Sequence, residues 1–200
     1  MNQLMNISIA TLAVVTLAAC SNASTPKGAD LGVVLDRTVM ALEFAEAEFD
    51  KPEDDAEATK QLNAFSGLMV QAMNLDPRFY KKNIGVNLRE DAAFVGFSDA
   101  NGNNVVDAGD ENIFTVELDA ERNRIIATDT VSGEGTYRVS GSGLLAGYIA
   151  GRLIGRQGRA GVKSSSFANR TAKSSADYRK SRPAPRARSS TRSGSSRGGK

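Results

Sequence analysis

Histidine and tryptophan are both absent from the 200 residues, and there is a single cysteine. Without imidazole there is no Ser-His-Asp or Cys-His arrangement and no acid/base pair built on histidine, and zinc sites of the His/Cys kind are excluded as well. One thiol rules out an intramolecular disulfide. A long apolar run is also missing: the longest, 7–19, is interrupted by Ser8, Thr11 and Thr16 and is too short to span a bilayer. Nor is there an overall excess of one charge, since 25 Lys+Arg stand against 23 Asp+Glu for a net +2.

That balance conceals a division. Through Gly151 there are 11 basic and 22 acidic residues, a net of −11; from Arg152 onward there are 14 basic residues and one acid, Asp177, a net of +13. An acidic folded part followed by a basic interaction tail is the expected organisation.

The apolar run at 7–19 has the length of a signal-peptide core and ends in Leu17-Ala18-Ala19-Cys20. This resembles the lipobox of bacterial lipoproteins, with one departure: Met1 to Asn6 contain no Lys or Arg. The resemblance implies removal of residues 1–19, acylation of Cys20 (palmitate among the chains), and a lipid-anchored mature protein in the cell envelope. Several acyl chains at about 0.8 kcal/mol per buried methylene suffice for stable anchoring. Ser21 follows where the family's inner-membrane retention signal is typically Asp, which implies the outer membrane, facing the periplasm or the cell surface. Residues 20–29, small and with Pro26, read as a lipidated tether.

For 30–140 the pattern predicts an acidic α+β domain. Asp30 is a candidate N-cap, followed at helical spacing by Leu31, Val34, Leu35, Leu42, Ala45 and Phe49. A second helix is expected from Pro52, with the stripe Ala58, Leu62, Phe65, Met69 and Ala72, stopping at Asp76-Pro77. The two read as an antiparallel helical hairpin. After Tyr80 the period falls to two, with strand-like runs at 93–98, 113–118, 124–128 and 136–139. The turn 119–123 pairs 113–118 with 124–128, giving a small antiparallel β-meander.

Between two of these runs lies Asp99-Ala-Asn101-Gly-Asn103-Asn-Val105-Val-Asp107-Ala-Gly-Asp110-Glu111. Oxygen-bearing side chains at relative positions 1, 3, 5, 9 and 12 resemble the EF-hand calcium loop. Calcium needs six or more oxygens at about 2.5 Å, and alternate residues of a curled loop supply them. On this register Asp99, Asn101, Asn103, Asp107 and Asp110 give side chains, Val105 its carbonyl, and Glu111 lies beside the last ligand. Position 6 is Asn104 instead of Gly, position 12 is the shorter Asp, and a strand follows instead of a helix, as in calcium loops of some β-rich extracellular proteins. So few carboxylates imply weak affinity, about 0.1 to 1 mM. The competing reading is a polar Asn/Gly/Asp hairpin loop that binds nothing.

Gly143, Gly147, Gly151 and Gly155 recur at intervals of four and resemble the glycine zippers of bacterial envelope lipoproteins. Residues 141–160 are therefore expected to form a helix with a groove for close packing, against a second copy, the membrane or the domain itself. The uncharged stretch between Arg138 and Arg152 would be about 20 Å long as a helix, short of a hydrocarbon core of about 30 Å.

From Gly161 onward 11 Ser and 11 Lys+Arg with few apolar residues predict a disordered basic tail over 161–200. Arg179, Lys180, Arg182, Arg186, Arg188, Arg192, Arg197 and Lys200 are the candidate polyanion-binding residues. With an envelope address the partners expected are anionic envelope polymers or lipid headgroups; only Phe167 and Tyr178 could stack on bases, which points away from nucleic acid. The composite expectation is a non-enzymatic envelope lipoprotein that tethers or organises envelope components. Alternatives are a calcium-responsive module whose acidic domain holds its own basic tail, and a nucleic-acid binder acting through that tail. No carboxylate pair is singled out for glycosidase-type catalysis.

Overall fold

The computed structural model describes residues 28–132, 135–163 and 165–181. The first helix, α1 (Leu31–Glu48), starts where Asp30 can cap it, the Asp30 carboxylate accepting the N–H groups of Gly32 at 3.1 Å and Val33 at 3.2 Å. The expected apolar stripe is buried from Leu31 through Ala45. The second helix, α2 (Asp55–Met73), starts three residues later than Pro52 suggests. Asp54 is the capping residue: it accepts from Glu57 N–H at 2.8 Å, and Glu57 accepts from Glu53 N–H at 2.9 Å, a variant of the capping box. The helix also stops before Asp76-Pro77. Asn74 caps it and exchanges two bonds with the Ile84 backbone, at 2.8 and 3.0 Å, fastening the helix end to the first strand.

Six strands follow: β1 (Asn83–Leu88), β2 (Phe94–Asp99), β3 (Asn112–Asp119), β4 (Arg124–Asp129), β5 (Thr136–Ser140) and β6 (Lys173–Ser174). They form one sheet in the order β1-β2-β3-β4-β5-β6, antiparallel except for the β5–β6 pair. Together with the helices this is an α+β fold with a six-stranded mixed sheet. The expected pairing of 113–118 with 124–128 is present, running from Phe114↔Asp129 to Asp119↔Arg124. Strand β1 was not expected, although Ile84, Val86 and Leu88 alternate with Gly85 and Asn87.

Strand periodicity sends Ile84, Val86, Phe94, Phe114, Val116, Leu118, Ile125 and Ala127 to one face, where they join the α1 and α2 stripes in a continuous core. Phe94 meets Phe65 of α2 edge-on, ring centres 5.5 Å apart. Gly96 belongs to this face for lack of a side chain: a Cβ there would stand 2.2 Å from the Phe114 ring on the paired strand. Each fully buried Phe contributes about 1.5–3 kcal/mol by leaving water.

The opposite face carries Glu117, Asp119, Arg124, Ile126 and Arg138, and Ile126 is fully buried in it. Part of its cover, around Phe167 and Arg170, comes from a part of the chain expected to be disordered. Residues 165–181 form α4 (Ser165–Ala168), β6 and α5 (Ser175–Ser181), so regular elements continue to 181, within the stretch from 161 onward that composition reads as disordered. Phe167 is only 4% exposed; its carbonyl accepts from Arg122 at 3.0 Å and from Arg124 at 3.1 Å. Arg124 is itself held by the buried Asp119 at 2.7 Å, and Arg170 pairs with Glu117 while stacking over the Phe167 ring. One aromatic anchor and three arginines thus order a segment whose average composition reads as unfolded.

The glycine repeat also departs from expectation. The third long helix, α3 (Tyr148–Arg159), begins after Gly147, and Gly143 precedes it with φ +79°. Of the four repeating glycines only Gly151 and Gly155 are helical. Both are exposed, on the side away from the buried Ile149, Ala150, Leu153 and Gln157, and a Cβ on Gly151 would meet nothing within 4 Å. What docks α3 on the domain is its aliphatic stripe. Its N-terminus is capped by Glu46 of α1, whose carboxylate accepts from Tyr148 N–H at 2.6 Å and Ile149 N–H at 2.7 Å. Gly147 leaves room for that carboxylate: a Cβ there would lie 2.0 Å from Glu46 Cδ.

Candidate cation-binding loop

The 99–111 segment connects β2 to β3, a strand-loop-strand setting. Asp99, the last residue of β2, is 3% exposed and uses both carboxylate oxygens inside the loop, accepting from Gly102 N–H at 2.7 Å and Asn104 N–H at 2.8 Å. This curl requires left-handed backbone at two places, Gly102 with φ +75° and Asn104 with φ +56°. Asn104, at the position where an EF-hand carries glycine, adopts the conformation that position needs, within the tolerance of Asn for it.

Around the far side, Asp107 Oδ2 accepts from two amides, Asn101 Nδ2 at 2.7 Å and Asn103 Nδ2 at 2.9 Å. The carbonyl oxygens of those amides accept from Asn103 N–H at 3.1 Å and Val105 N–H at 2.8 Å, a ladder of Asx turns. Asp110 closes the loop by accepting Asp107 N–H at 2.9 Å. Asn101, Asn103 and Asp107 therefore lie together, joined by amide-to-carboxylate hydrogen bonds. The Val105 and Val106 side chains are more than half exposed, and Glu111 bonds through its carbonyl to Ser98 N–H at 2.9 Å.

The donor set is compatible with a hard cation in type, being carboxylate and amide oxygen, and in charge, with Asp99, Asp107 and Asp110 on one loop. In arrangement it is collapsed: Asn101 and Asn103 turn amide hydrogens toward Asp107, and Asp99 is engaged by backbone N–H groups. Among the described residues no three His, Cys, Asp or Glu side chains gather as a metal-holding group. A cation would replace the two amide-to-Asp107 bonds by turning both amides. The loop also has a purely structural task. Asn104 Oδ1 accepts Val86 N–H from the outer edge of β1 at 3.0 Å, so the loop shares with Asn74 the covering of that sheet edge.

Of the remaining expected site residues, Cys20 lies outside the described residues, as do Arg182, Arg186, Arg188, Arg192, Arg197 and Lys200. Lys180 is on α5, exposed, 3.9 Å from Asp177; the Arg179 side chain is outside the described set. Gly143, Gly147, Gly151 and Gly155 lie along one segment but not on one helix. No helix among the described residues is long and apolar enough to cross a membrane.

Sequence reasoning missed Arg37, a charged residue in an apolar stripe. Its guanidinium is nearly buried and donates to three carbonyls, Met73 at 2.9 Å, Leu75 at 2.8 Å and Pro77 at 2.9 Å, while lying 4.9 Å over the Phe79 ring. Burial lowers its pKa from the ordinary value and Asp76 nearby opposes that shift. Its task is to hold the α2–β1 connection. The protein is thus an α+β fold with a six-stranded mixed sheet and an Asn- and Asp-rich loop at one edge of that sheet. Comparison with protein-family models, curated proteins and solved structures gave no match.

Proposed function

We propose that the chain is a non-enzymatic lipoprotein of the cell envelope, anchored to the outer membrane through acylated Cys20. It binds calcium weakly at 99–111 and engages anionic envelope polymers or lipid headgroups through its basic C-terminal residues. The observation that carries this reading is the division of chemistry along the chain. A lipobox-like Leu17-Ala18-Ala19-Cys20 stands at one end, the Arg-rich 182–200 at the other, and an acidic domain between them. Such a molecule tethers one envelope component to another. The finer architecture belongs to the same proposal: α1 and α2 as an antiparallel hairpin, and α3 as a glycine-lined helix whose free Gly151 and Gly155 face permits self-association.

Salt-titrated co-sedimentation of the full chain with isolated outer membranes, with and without residues 182–200, tests the tether. Binding of the basic segment should fall steeply with salt and disappear with the deletion. Mass spectrometry of the N-terminal peptide tests the anchor, and an unmodified Cys20 thiol would sink it. Calorimetry should give one calcium site at about 0.1 to 1 mM, lost in Asp107→Ala; unchanged binding in that variant moves the site elsewhere.

A second reading, a calcium-responsive module that holds its own tail, is favoured by one observation. Helix α5 packs against α1, so the last described residue, 181, ends a helix that lies beside one carrying exposed Glu43 and Glu48. On this reading calcium changes the rate at which trypsin cuts within 182–200; on the tether reading it does not.

A further inference from the structure

Helix α3 has three distinct sides. Its apolar stripe is buried, its glycines face outward, and between them Arg152, Arg156 and Arg159 fall at i, i+4 and i+7 on one flank. That flank faces α2 across an open cavity of about 390 Å³, which Thr59, Asn63 and Glu90 also line. The arginines are incompletely used by the protein. Among the described residues Arg152 reaches only Asp55, at 3.2 Å on a carboxylate that is 97% exposed, and its buried Nε–H has no partner. Arg156 spends its Nε–H on the Glu90 carbonyl at 3.2 Å, and among the described residues neither its terminal nitrogens nor Arg159 make a hydrogen bond or ion pair.

We propose that this cavity binds a phosphate monoester, either free or at a headgroup, between α2 and α3. Three guanidinium forks converging on one space present more charge and more N–H groups than a carboxylate can use. A dianion with three terminal oxygens matches them. Glu90, a lining residue, and Asp55, paired with Arg152, are the acidic groups nearest the arginines, and they offset part of the positive charge of the free cavity. The proposal rests on the folded domain alone and is independent of the envelope address and of the calcium loop.

The test uses the purified full chain, with inorganic phosphate and phenyl phosphate as probes and acetate as control, titrated by calorimetry in about 0.15 M salt to suppress diffuse binding. One saturable site is expected, with acetate at least tenfold weaker. Arg156→Gln with Arg159→Gln should weaken phosphate about tenfold or more, the loss expected from one charge-assisted hydrogen bond. Glu90→Gln should tighten it severalfold, a gain that damaged folding cannot produce. Arg186→Gln with Arg188→Gln, removing the same charge from the tail, should leave it unchanged. Phosphatidic acid vesicles added to the phosphate-loaded tail variant separate the two sources: displacement of phosphate assigns a headgroup and retention a free monoester. Equal losses in the α3 and tail pairs, acetate binding as tight as phosphate, or no saturable binding overturns the proposal.

Discussion

Removing the Glu46 carboxylate tests how a tertiary contact, and not helix propensity, holds α3 in place. Three glycines lie within or at the end of the helix, each costing about 1 kcal/mol relative to Ala, so α3 has little intrinsic stability. Its first turn has no side-chain cap of its own and depends on Glu46, which accepts from Tyr148 and Ile149 at 2.6 and 2.7 Å and from Ala150 at 3.4 Å. A hydrogen bond to a charged acceptor contributes about 1.5–3 kcal/mol, an N-cap about 0.5–2 and the dipole term about 0.3–1. These describe one carboxylate in overlapping ways and do not add, so Glu46→Ala should cost about 2–3 kcal/mol and Glu46→Gln about half that. For a domain of this size the alanine variant should melt roughly 5–10 °C lower. Gly147→Ala should cost a similar amount, since its Cβ would stand 2.0 Å from Glu46 Cδ and force the carboxylate away. The two substitutions share one interaction, so the double variant should be little worse than either single one. Thermal and urea unfolding followed by circular dichroism measure all four variants. A shift below about 1 °C for Glu46→Ala, or full additivity with Gly147→Ala, refutes the argument.

Arg37→Lys should lower stability by about 2–3 kcal/mol, because one ammonium cannot replace a fork serving three carbonyls; an unchanged urea midpoint would show that water replaces it freely. Phe167→Ala should cost about 3 kcal/mol and expose Arg170 and Lys173 to trypsin before global unfolding; wild-type protection would mean that 165–174 is not part of the cooperative fold. Asp91 is held below the usual carboxylate range first by its bond to Arg89, which outweighs the desolvation that raises it. Its contribution is therefore present above the unfolded carboxyl pKa of about 3.9 and is lost as pH falls through the lower folded value. Asp91→Asn should be less stable than wild type at pH 6 and equal to it at the acid end; a difference that persists there would mean the loss is one of packing.

Local signals were enough wherever a residue acts on its own neighbours. Asp30 caps α1 through bonds two and three residues away, the helical stripes of α1 and α2 and the alternation of β2 to β4 follow from periods of 3.6 and 2, and the Asx ladder of 99–110 is written in its alternating Asn and Asp. Tertiary structure decided whatever depends on a partner distant in sequence. Nothing near Gly147 announces that Glu46, a hundred residues earlier, will cap the helix, nor does anything near Arg37 announce the three carbonyls it meets beyond residue 72. The glycine repeat shows the limit of periodicity: a step of four describes one helical face, but Gly143 and Gly147 lie ahead of the helix and the aliphatic stripe, not the glycine face, found the core. Composition failed in the same way at 161–181, because an average over many Ser and Arg conceals one Phe167 for which Arg122 in the β3–β4 turn and Arg124 at the start of β4 were already placed. Spacing along the chain encodes contacts within an element, whereas contacts between elements are selected by which surfaces the folded chain brings together.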